Sequence, residues 1–150
     1  MKVGRLLAAA LAALVVFFAY GFLINGMLIR DHYQPYSAVY RSADALAGYA
    51  PFGLAGTLLA MLSLAMLYAK GYEGGSGAAE GVRFGALIGI FVACTHVVDN
   101  YVTLNIGGRL AAELAVAAFF QWIAVGLVVG LVYGRRPRPG SRERAAPSAR

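Results

Sequence analysis

The sequence predicts an all-α integral membrane protein: a four-helix bundle with both termini on the cytoplasmic side, a short interfacial helix on the outer side and a disordered basic C-terminal tail. Three observations predict it. Four apolar blocks recur at lengths suited to crossing a bilayer. The chain carries only 13% charged residues against 60% hydrophobic ones, with a mean hydropathy of +0.67. Its basic residues are also divided unevenly among the segments that join the blocks. A soluble domain has about a quarter of its residues charged to cover its surface, so this chain is short of polar covering.

The first block, residues 6–28, runs twenty-three residues without a charge. At about 1.5 Å per residue it reaches about 34 Å, enough for a hydrocarbon core of about 30 Å. Lys2 and Arg5 ahead of it raise the alternative of a signal peptide. The run is too long for that, and it ends in Asn25-Gly26-Met27 with no small-x-small cleavage site, so it reads as a retained helix. The second block is 52–69, with Lys70 placed to snorkel at its end. The third, 84–104, is interrupted only by His96, Asp99 and Asn100. The fourth, 110–133, has Glu113 near its start and Gln121 inside it. Residues 1–134 thus form one four-span domain, and 135–150 a disordered basic tail.

Orientation follows from Lys and Arg. The N-terminus, the middle connection and the tail hold ten of the thirteen basic residues, while the other two connections hold only Arg30, Arg41 and Arg109. That asymmetry puts both termini in the cytoplasm of a multi-pass protein. The net charge of +6 is not a nucleic-acid signal, because six basic residues sit in the last sixteen positions, flanking the last span. The tail is instead suited to anionic lipid, at about 1 kcal/mol per basic residue near the surface.

The first outer connection, 30–51, holds Tyr33, Tyr36, Tyr40 and Tyr49, and residues 37–46 suit a short helix on the membrane surface. Tyrosine favours the headgroup level, so an interfacial anchor is the plain reading and a lid over the bundle the functional one. The middle connection, 71–82, is glycine-rich but lacks the Gly-Lys-Ser/Thr of a phosphate loop, and reads as a flexible connector. Asn105-Ile106-Gly107-Gly108 makes the third and fourth spans a tight hairpin. The lone Cys94 allows no internal disulfide and is read as packing.

Small residues recur every four positions in the third span, at Gly85, Gly89 and Ala93, and in the fourth, at Gly126, Gly130 and Gly134. They mark where helices meet. A looser stripe in the second span comprises Gly53, Gly56, Ala60 and Ser63. On a straight α-helix His96 lies about 20° from Gly85, and Asp99 and Asn100 within about 60°. If the glycines face protein, these polar groups do as well, as expected of ionisable residues inside a membrane. With Asn25 at similar depth, His96, Asp99 and Asn100 form a candidate ligand or ion pocket toward the outer face. Asp31 and His32 stand above it as outer-loop contributors. A buried His96–Asp99 pair fixing helix register is the structural alternative. A metal is left open, but one bundle histidine is too few for bis-His haem, and no cofactor is expected.

The stretch Lys70-Gly71-Tyr72-Glu73-Gly74, then Glu80-Gly81-Val82-Arg83-Phe84-Gly85 and Ile88-Gly89, resembles a family of small four-helix bacterial inner-membrane proteins of unknown function. Asn25-Gly26-x-Leu28 and the fourth span ending in Tyr133 fit the same likeness. The resemblance implies topology and no activity. No catalytic set is present. The first functional reading is therefore a non-enzymatic helix-bundle subunit or partner-binding module, whose partners are the bilayer and a second copy or another membrane protein. The alternative is a small carrier or sensor that binds a proton, ion or small ligand around His96 and Asp99. An integral-membrane enzyme comes third.

Overall fold

The computed structural model describes residues 3–134; the tail expected to be disordered, 135–150, lies outside the described residues. Among the described residues the chain is all-helical, with four helices long and apolar enough to span a membrane. They are α1 (Val3–Leu28), α2 (Ala43–Gly71), α3 (Gly77–Thr103) and α4 (Gly108–Tyr133). Two of them change pitch. α1 turns from α to π geometry over Phe22–Leu28, and α3 does so over Ala93–Val97 before resuming α geometry.

The first connection departs from expectation. No separate helix forms over 37–46. Instead Arg30–Tyr36 is a 3-10 helix, and α2 begins at Ala43, capped by Ser42, whose Oγ accepts the Ala45 N–H at 3.4 Å. A side-chain acceptor at the N-cap satisfies one of the helix's free N–H groups. Pro51 lies inside this helix, where its missing N–H removes one bond to the Ala47 carbonyl without ending the helix.

α4 is the centre of the fold: α1 and α3 both pack on it, and α2 packs chiefly on α1. At the end of the bundle near Val3 and Tyr133, small alanines Ala9, Ala10 and Ala13 let α1 close on Met61, Leu64 and Ala65 of α2 and on Val125 and Val129 of α4. Tyr68 completes that end. Its ring meets Phe84 at 5.4 Å and Tyr133 at 6.1 Å edge-on, and its hydroxyl donates to the Gly77 carbonyl at 3.3 Å. The middle connection beside it is held rather than loose. The Glu80 carboxylate accepts N–H groups from Gly75 at 2.6 Å and Glu73 at 3.2 Å, around a turn that needs Gly74 at φ +90°.

α3 and α4 run antiparallel along a glycine seam. Gly77, Gly81 and Gly85 of α3 sit directly against the carbonyls of Gly130, Gly126 and Trp122. A methyl group built on Gly126 would lie 2.6 Å from the Gly85 Cα, and one on Gly134 would lie 2.6 Å from the Gly77 Cα. The backbones therefore touch with no room for a side chain, the arrangement that lets helices associate in lipid through dispersion and Cα–H···O contacts. The seam holds the Gly85, Gly89, Gly126, Gly130 and Gly134 read from the sequence, and Gly77 and Gly81 extend it by two turns. It ends at Gly89, which faces Phe119. The stripe on α2 behaves differently: Gly53, Gly56, Ala60 and Ser63 are all exposed, and a side chain on Gly53 or Gly56 would meet nothing among the described residues.

Substitution at the two stripes separates these roles. Gly81→Leu or Gly126→Leu is expected to cost about 3 kcal/mol or more, since overpacking against backbone cannot relax through a rotamer. Gly56→Leu is expected to leave the melting temperature within error. Thermal unfolding in detergent, followed by far-UV circular dichroism, checks both; equal melting of all three variants would contradict the seam.

Candidate functional site

Beyond Gly89 the packed face of α3 is kept by a change of pitch. Buried positions recur at Gly81, Gly85, Gly89 and Val97, in multiples of four residues. On a straight α-helix each four-residue step drifts by about 40°, so this pattern would wander off the seam. The π turn absorbs one extra residue: the Val98 N–H reaches back five positions to the Ala93 carbonyl. Counted one residue back, Val97 takes the angle of about 20° from Gly85 that the straight helix assigned to His96. Val97 is accordingly 6% exposed, whereas His96 and Asp99 are exposed. The expected common face of His96, Asp99 and Asn100 with the glycines is thus corrected by the inserted residue.

The same shift builds a recess. Where the seam ends, α1 and α3 stand on either side of α4 and enclose a cavity of about 330 Å³. Asn25 reaches it from the π turn of α1, and His96 and Val97 from that of α3. Asn100 follows one turn later. α4 supplies Leu114, Ala117, Ala118, Gln121 and Trp122 as the back wall, and Phe17 closes the floor against Trp122 at 5.7 Å. Both π turns therefore flank one recess.

Its polar groups are partly satisfied. Asn100 Nδ2 donates to His96 Nε2 at 3.3 Å, and Gln121 Nε2 donates to the Phe17 carbonyl at 2.9 Å. Asn25 Oδ1 accepts the Tyr33 hydroxyl at 3.1 Å. The Asn25 amide N–H groups, the Asn100 and Gln121 carbonyl oxygens and the Trp122 indole N–H take no partner among the described residues, and none is fully buried. Among the described residues no Asp, Glu, Lys or Arg lines it.

Tyr33 roofs the recess from the 3-10 segment. Its ring meets Tyr40 edge-on at 5.0 Å, and Tyr33, Tyr36 and Tyr40 pack on Ile106 just ahead of α4 and on Leu110 and Ala111 in its first turn. The Tyr36 hydroxyl lies over Gly107, where a side chain would displace it. His32 fastens the segment. Its Nδ1 donates to Glu113 Oε2 at 2.6 Å, while Arg109 Nε donates to the other carboxylate oxygen at 3.0 Å. Burial, with Tyr40 beside it, pushes the Tyr33 phenol up to about 12.

Of the residues singled out in the sequence, Asn25, His96 and Asn100 come together at the recess. Asp99 does not line it and makes no side-chain bond to His96; its carbonyl accepts the Thr103 hydroxyl at 2.8 Å. Asp31 is exposed, and His32 is committed to Glu113. Sequence reasoning reached Tyr33 only as one of the tyrosines of a possible lid, and left out of the candidate pocket Trp122 and above all Gln121, which faces away from the glycine seam and toward α1. An uncharged amide in mid-span must find a partner somewhere, and that requirement was its signal. A second groove of about 380 Å³, lined by Tyr20, Ile24, Leu28, Val116 and their neighbours, is almost wholly apolar. Among the described residues no three His, Cys, Asp or Glu side chains gather as a metal set would.

No family model, curated protein or solved structure matches the chain. The recess is therefore interpreted from its own chemistry.

The roof gives a pH test. With its phenol raised from 10.0 to about 12 in the fold, Tyr33 contributes stability that is whole below about pH 10 and is lost as pH rises through about 12. In an alkaline tyrosinate absorbance titration, Tyr33→Phe is expected to remove one late-ionising phenol. A variant with an unchanged late component would contradict the half-buried placement of the Tyr33 phenol beside Tyr40.

Proposed function

We propose that the protein is a multi-pass carrier or sensor of the inner membrane that binds a small ligand in the recess between the two π turns. The observation that carries this reading is the meeting of Asn25, Tyr33, His96, Asn100 and Gln121 around one cavity of about 330 Å³. Polar side chains inside a span are costly, and where they border a cavity with donors and acceptors to spare after pairing with one another, binding is the default explanation. Single π turns are often found at functional sites because they expose side chains and backbone that a straight helix would hide. Two of them at one recess support binding over helix register alone. The unequal division of basic residues, ten against three, supports termini in the cytoplasm, which puts the roof on the outer side. In this reading Asn25, Asn100 and Gln121 hold the ligand by hydrogen bonds, and His96 stands at the lip.

Native mass spectrometry of the detergent-extracted protein tests it. A small molecule is expected at up to one per chain on the wild type. It should be lost from Ala118→Phe, which fills the recess, and from the Asn25→Leu/Asn100→Leu double variant. The same bound masses on all three proteins would overturn the reading.

A second reading, a non-enzymatic subunit that docks on a second copy or another membrane protein, is favoured by the exposed Gly53, Gly56, Ala60 and Ser63 of α2. The same spectra decide it, since a monomer with no bound polypeptide excludes that role.

A further inference from the structure

We infer that the ligand is a neutral amphiphile with a hydroxyl-bearing head, and that it enters sideways from the bilayer. This class rests on the reading of the recess as a binding site. The route follows from what is closed. Toward the connections the recess is covered by Tyr33, held by its bond to Asn25 and its packing on Tyr40 and by the His32–Glu113 pair next to it. Toward the other end it stops at Phe17 and Trp122, near the middle of α1 and α4. Its back wall is α4. Only the flank between α1 and α3 is left, because each packs on α4 without extensive contact with the other. His96, which lines the recess and is nonetheless exposed, marks that flank. It lies seven residues inside Thr103, the end of its helix, a depth of about 10 Å. For a helix that spans a bilayer, such an opening faces lipid rather than water.

The head group follows from the lining. Among the described residues no carboxylate, ammonium or guanidinium lines the recess to neutralise a charged head, and an unpaired ion removed from water is strongly disfavoured. The residues that line the recess carry both kinds of group without a partner among the described residues: N–H donors on Asn25 and Trp122 and carbonyl acceptors on Asn100 and Gln121. A hydroxyl both donates and accepts, so an acylglycerol-like or sugar-like head answers both kinds of group, whereas a group that only accepts leaves the amide oxygens unmet. The aromatic floor of Phe17 and Trp122 suits the apolar faces of such a head.

Trp122 makes the test direct, because it is the only tryptophan in the chain and lines the recess. Three amphiphiles brominated near the head are titrated into phosphatidylcholine nanodiscs carrying the protein: a monoacylglycerol, a phosphatidylglycerol and an alkyl trimethylammonium. The monoacylglycerol is expected to quench Trp122 saturably at a mole fraction about tenfold lower than the charged probes. Asn25→Leu/Asn100→Leu should erase that preference, and thermal melts confirm that the variants are folded. Equal quenching by charged and neutral probes, abolished by Ala118→Phe, overturns the neutral class and leaves the recess a binding site. No quenching by any probe overturns entry from the bilayer. Quenching that Ala118→Phe does not change shows that nothing occupies the recess, and the binding-site reading falls with it.

Discussion

The contact on which the rest of the structure depends is the glycine seam between α3 and α4. In lipid, apolar side chains gain nothing by leaving a solvent as apolar as themselves, so helices hold together through close contact of their surfaces. Glycines at 77, 81 and 85 bring the α3 backbone onto the carbonyls of α4, and those at 126, 130 and 134 do the same in return. This fixes a tight end and, by contrast, a loose one. Past Gly89 and Phe119 the glycines stop, and the direct backbone contact stops with them. The recess is the consequence of a seam that ends halfway along the bundle.

The π turns reconcile two demands on α3. A stripe of small residues every four positions needs the helix to keep one face forward, while α geometry rotates that face steadily away. One inserted residue over Ala93–Val97 restores the phase, keeps Val97 in the packed surface, and carries Asn100 rather than Asp99 toward the recess. The charge of Asp99 is thereby kept off the interior, and among the described residues no Asp, Glu, Lys or Arg lines the recess. The π turn of α1 does the corresponding work for Asn25, whose carboxamide meets the roof tyrosine. Polar side chains and irregular backbone occur at the same depth because the spare hydrogen-bonding capacity of each is met there.

Much of this was legible in the sequence, for identifiable reasons. Apolar length alone marked the four helices, and four-residue glycine spacing marked the surfaces of α3 and α4 that meet. The gathering of Asn25, His96 and Asn100 at one depth could be read because depth depends only on distance along each span. Angle could not, since a π turn leaves no compositional trace and every residue beyond it is misplaced by about 100° when straight α geometry is assumed. The start of α2 was obscured by Tyr49 and Pro51, which look like loop residues but lie within a helix begun by the Ser42 cap. The part played by Gln121 was hidden because α4 uses two faces at once, one for α3 and one for α1.

Register at the recess is the claim on which site and ligand both stand, and cysteine cross-linking measures it most directly. In a Cys94→Ser background, Asn25→Cys is paired in turn with Asn100→Cys and with Asp99→Cys and treated with a short bifunctional thiol reagent. The π turn requires that the Asn100 position link to residue 25 and that the Asp99 position do so at least about tenfold more slowly; deletion of Thr95 should remove the difference. Equal or faster linking through the Asp99 position would mean a straight helix, a charged interior and a different site.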